Sequence, residues 1–127
     1  MSIKLKNIYI CENVIVSFNG QLSLINITQE IISTAFPAMH PKLTVLISTV
    51  GEEGTYGEKV EIISLNNDES IASIEGKAEI KSQGGNNFLA NFINVIFKEP
   101  GRYWIKITID NNVVTNEKDH SIIVKKI

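Results

Sequence analysis

A rhythm in the chain decides its fold class before any motif is considered. Short apolar runs, several of them alternating with period two, are separated by turn signals, and no run of helical period lies between them. Strands are expected at 3–10, 14–18, 22–27, 43–50, 59–65, 70–81, 88–97, 102–109 and 113–126, the last with an irregular middle at Asn116–Asp119. Asn19-Gly20 lies between two apolar runs and predicts a hairpin with a type I′ turn, because both residues tolerate positive φ. Residues 28–42 hold Pro37 and Pro41 and read as a connection; the one helical candidate there, around Ile31 and Ile32, is stopped by Pro37. Residues 51–58 and 82–87 are glycine-bearing loops, and Gly76 is a candidate bulge. Together these predict an all-β chain: one immunoglobulin-like β-sandwich domain, residues 1–127, of seven to nine antiparallel strands.

The stretch 98–112 carries the densest information. Tyr103, Ile105, Ile107 and Ile109 share one strand face, and Arg102, Trp104, Lys106 and Thr108 share the other. The isoleucine face is the core face. Tyr103 then opens an inward row just after Pro100-Gly101, where an immunoglobulin-like fold carries a tyrosine corner. Trp104 points away from the core and either packs along the Lys106 stem or forms part of a contact surface. In 88–97 both faces are apolar, so that strand is buried on two sides, switches faces at a bulge, or offers one face to a partner. Phe88, Phe92 and Trp104 form an exposed patch if their strands adjoin.

Bulk properties exclude several function classes. Charged residues make up 20% and the net charge is −2, so nothing favours nucleic acid or an anionic membrane. The single cysteine, Cys11, allows no internal disulfide and points to a reducing compartment; no signal-peptide core or membrane span is visible, which together predict a cytoplasmic protein. Catalysis needs a convergent set of groups. His40 and His120 stand alone in sequence, and with Cys11 they show no zinc-ligand spacing. Cys11 reads as a small apolar residue at a strand end. Glu52, Glu53 and Glu58 flank a glycine loop without the Asp-x-Asp spacing of a calcium site. No enzyme, cofactor or metal is expected.

The chain also resembles a family of small bacterial proteins known only as a domain of unknown function. The likeness rests on Cys11-Glu12, Gly20-Gln21-Leu22, Phe36-Pro37, Pro41 and the corner Pro100, Gly101 and Tyr103, in that order. The family's final turn often reads Asp-Gly, where this chain has Asn111-Asn112. The resemblance implies a cytoplasmic β-sandwich and no activity. The expected role is therefore a non-catalytic binding or assembly module acting on a protein partner or on itself, with Phe88, Phe92 and Trp104 as its surface. The alternative is a small-molecule or carbohydrate site at one end of the sandwich. It would be built from Phe36 to Pro41 and the loop 51–57, with Phe36, Met39, His40 or Tyr56 lining it.

Overall fold

A computed structural model describes residues 3–81 and 84–127. Residues 82 and 83, inside the loop expected at 82–87, lie outside the described residues. Among the described residues the chain forms ten strands and no helix: β1 (Ile3–Val16), β2 (Leu22–Ile27), β3 (Glu30–Ser33), β4 (Ala38–Gly51), β5 (Gly54–Ser64), β6 (Ser70–Ile80), β7 (Gly85–Phe97), β8 (Gly101–Ile109), β9 (Asn112–Val113) and β10 (Ser121–Lys126). One sheet runs β2-β1-β4-β7. The other runs β3-β10-β8-β5-β6, with β9 added to β8. The all-β expectation holds, with one strand more than the expected range and one parallel pair, β3 with β10.

The core lies between the sheets. Leu43, Val45 and Ile47 face it from β4, Val60 and Ile62 from β5, and Tyr103, Ile105, Ile107 and Ile109 from β8. The alternation read in 102–109 is the one the structure shows, with each isoleucine buried and its neighbours less so. Pairing Ile107 with Val60 and Ile105 with Ile62 continues the apolar rows across β5.

Several strands are longer than their apolar runs because they change faces along the way. The expected strands at 3–10 and 14–18 are one strand. A register shift between Leu5 and Asn7 lets Ile3 and Leu5, then Ile8 and Ile10, pack inward. In β7, Ala90 and Phe92 are buried, then Val95 and Phe97, so the inward phase moves by one residue. The residue at the switch, Asn94, has φ of 53° and falls opposite Pro41, between the paired rows His40↔Val95 and Lys42↔Ile93. Strand β4 shifts phase in the same place, from Ala38 to Leu43, so the two strands stay in register. Of the three explanations for an apolar β7, the face switch is correct.

Pro41 sits inside a strand of four-stranded order. It is tolerated there because β1 pairs with β4 only as far as Cys11↔Thr44, leaving one edge of residues 38–42 open. Gly76 is not a bulge: its register through Glu58↔Gly76 is continuous, and the irregularity lies at Ile62/Ile63.

The turns differ from expectation in an informative way. At Asn19-Gly20 the Gly20 N–H donates to the Ser17 carbonyl at 3.0 Å, and only Gly20, at φ of 85°, is left-handed. That is a type I turn closed by a left-handed glycine in a three-residue loop. The two-residue type I′ turn occurs instead at Asp110-Asn111, φ 46° and 68°, which joins Ile109 to Asn112.

Candidate functional site

The residues expected to form a surface do not come together. Strand β7 belongs to the four-stranded sheet and β8 to the other, so Phe88 and Phe92 cannot share a face with Trp104. Phe92 is a core residue, 4% exposed. Phe88 is half-buried and turns inward over Gly76, where a Cβ would stand 2.5 Å from its ring. A side chain on Gly76 would fill the space this phenyl occupies. Trp104 lies half-buried on the outer face of its sheet, between Ile63 on β5 and Ser121 on β10, with the Lys106 ammonium 5.7 Å from its ring centroid.

The loop-end pocket also fails. Residues 36–41 precede β4 or open it and residues 51–57 follow it or close it, so most of the length of β4 lies between Pro41 and Gly51. At strand rise that is roughly 33 Å, which puts them at opposite ends of the sheet. Phe36 packs against the core, and Tyr56 is buried within it. The glycine loop shortens to Glu52-Glu53, because β5 begins at Gly54.

Tyr56 instead repeats the Tyr103 corner. The Tyr103 hydroxyl donates to the Glu99 carbonyl at 2.6 Å, and the Tyr56 hydroxyl donates to the Glu52 carbonyl at 2.8 Å. Each tyrosine follows the pattern Glu-x-Gly-x-Tyr, and the two glycines, Gly54 and Gly101, have φ of 158° and 152°. A side chain rarely adopts that backbone, and at Gly101 a Cβ would also meet the Asn66 amide at 2.7 Å. The duplicated five-residue motif was readable in the sequence and marks two equivalent corners, at the starts of β5 and β8.

Strand β5 also carries a buried carboxyl group, the one acidic or basic side chain buried among the described residues. Glu58 pairs with Gly76 on one side and Ile109 on the other, is 3% exposed, and neither carboxylate oxygen has a hydrogen-bond partner among the described residues. Burial pushes its carboxyl up to about 7. The sequence expectation of a glycine loop over 51–58 puts Glu58 beside that loop, whereas it lies inside β5. The in-phase series Glu58, Val60, Ile62 would have placed it inward.

The two histidines lie in separate surroundings. The His120 Nδ1 accepts the Asn116 N–H at 3.0 Å beside β10. His40 sits in a crevice of about 310 Å³ lined by Glu12, Asn13, Ile25, His40, Pro41 and Lys42. Cys11 is in the middle of β1, not at a strand end. It is fully buried between Ile27 and Thr44, and burial raises its thiol above the ordinary value. Among the described residues no group of three or more His, Cys, Asp or Glu is placed to hold a metal ion. No helix there is long and apolar enough to cross a membrane.

The crevice exists because the sheet forks. Beyond Cys11, β1 leaves β4 and runs on to Val16 paired only with β2. The result is a two-stranded arm. Lys42 Nζ donates to Asn13 Oδ1 at 2.6 Å across the base of the fork. Past that bond Ile15 is 51% exposed, Val16 57%, and Phe18 at the tip fully so. Leu22 and Leu24 are half-buried but do not join the core. Residues 13–29 carry no charged side chain.

A family model described as a family of unknown function, DUF6941, matches residues 6–118, and the chain belongs to that family. No curated protein matches it. The matched span includes the arm, the fork and both tyrosine corners.

Proposed function

We propose that the chain is a non-catalytic protein-binding or assembly module whose contact surface is the β1–β2 arm. The expected role is kept, but the Phe88, Phe92 and Trp104 surface is replaced. The observation that carries the reading is the arm's exposure: Ile15, Val16 and Phe18 stand in solvent on a hairpin that no third strand among the described residues supports. Two strands alone are marginal in water, and an apolar tip of this kind is stabilised by being covered. Phenylalanine, the residue at the tip, is among the types enriched in the buried core of protein contacts. A cytoplasmic setting and kinship with immunoglobulin-like sandwiches belong to the same proposal. The single unpaired thiol supports the first, and the tyrosine corner supports the second.

A photo-crosslinking amino acid placed at Phe18 tests the reading in the cells that make the protein. The expected result is a discrete crosslinked protein from position 18 and none from the same probe at exposed Glu117. Equal yields from the two positions, or none from position 18, would remove the arm as the contact surface.

A second reading has one observation behind it. The His40 Nε2 is buried without a hydrogen-bond partner among the described residues, in the crevice between Glu12 and Lys42. That supports a small polar ligand held in the fork rather than at the loops.

A further inference from the structure

We propose that the occupant of the arm is a second copy of this chain, paired antiparallel along β2 about a two-fold axis at Leu24; this rests on the arm being the contact surface. The inference comes from comparing the four sheet edges. An exposed edge is a template for pairing, and folded proteins blunt it with charge, brevity, kinks or cover. Strand β6 carries Glu75, Lys77 and Glu79. Strand β3 has four residues and an ion pair from Glu30 to Lys125 at 3.2 Å. Strand β7 is kinked at Asn94 and shouldered by β6, through the Asn86 amide on the Glu79 carbonyl and Phe88 over Gly76.

Strand β2 has fewer of these devices. It reads Leu-Ser-Leu-Ile-Asn-Ile, has no charge and no proline, and is left-handed only at Asn26, φ 55°. Its regular edge is therefore Leu22–Ile25. A second copy meets no like charge there, because residues 13–29 are neutral.

Geometry restricts the register to axes that pass through a residue. Strand side chains alternate between faces, so a two-fold axis perpendicular to the sheet must pair residues of equal parity to keep like faces together. Centring on Leu24 does this. It sets Leu24 against itself and Ser23 against Ile25 of the other copy, and it keeps each Leu24 on the face that bears Val14. The two four-stranded sheets then continue as one of eight strands, and both copies present the same patch, as a two-fold interface requires.

Charge exchange at position 24 tests this. Light scattering of the wild-type chain should show a dimer that dissociates on dilution. Leu24→Lys and Leu24→Glu should each remain folded by circular dichroism and weaken the dimer by ~100-fold or more, since like charges then oppose one another. An equimolar mixture of the two variants should restore it. A wild-type chain that stays monomeric at every concentration, or a dimer that survives both substitutions, would overturn the β2 pairing. A monomer that still crosslinks from position 18 to a different protein would overturn it too, while the arm would remain a contact surface. A monomer with no crosslink from position 18 would remove both.

Discussion

Glu58→Gln should stabilise the protein at pH 8 by roughly 3 kcal/mol and change little at pH 4. The carboxyl titrates near its ordinary value of 4.5 in the unfolded chain and at about 7 in the folded one. Between those values the folded state holds a proton that the unfolded state has released. Stability is therefore complete below pH 4.5, declines as the pH rises towards 7, and is level above it. Glutamine removes that slope while keeping the shape of the side chain. At pH 8 the difference amounts to roughly 10 °C in Tm for a chain of this size. Glu58→Met should gain at both pH values, because it also removes polar atoms buried without partners. Thermal unfolding of wild type and variant from pH 4 to 8 decides the matter. Parallel curves would mean that Glu58 is solvated.

Phe97→Ala should cost about 3–5 kcal/mol at every pH. Phe97 is fully buried, and its ring meets that of Tyr103 edge to face, with centroids 4.8 Å apart and planes at 79°. Truncation opens a cavity beside the Tyr103 ring, whose hydroxyl anchors the corner on Glu99. Domains of this kind have a total stability of roughly 5–15 kcal/mol, so the loss would be a large part of it. Urea unfolding measures it directly. A cost below ~1 kcal/mol would mean that the site collapses freely, and the corner would then owe little to the packing around it.

Much of the fold was legible because its signals are local. The alternation in β8, the limits of β2 and the turns after Ile109 and around Asn116–Asp119 all follow from neighbouring residues. What escaped depends on distant partners. Strand β3 is four residues long and is held by parallel pairing with β10, near the other end of the chain. The face switch in β4 and β7 needs Pro41 and Asn94 opposite one another, and neither residue announces the other.

The site shows the same division. Exposure of Phe88, Phe92 and Trp104 required two strands to be neighbours, and they lie in different sheets. The arm left a readable trace, the neutral stretch 13–29 with phenylalanine beside its turn. Its exposure could not be read, because it depends on where β4 stops following β1. The Tyr103 corner was legible, whereas its repeat at Tyr56 and the inward phase of Glu58 were present in the sequence but masked by the glycines around the start of β5.

Hydrogen exchange at two protein concentrations, near 1 µM and near 500 µM, tests most directly whether the core carries the fold and the arm carries the contact. The amides of Ile105–Ile109 in β8 should exchange slowly and equally at both concentrations. Those of residues 14–16 and 22–25 should exchange fast when dilute and slow markedly when concentrated, as the arm becomes covered. An arm that exchanges at one rate at both concentrations, whether fast or as slowly as β8, would contradict the arm's pairing with a second copy.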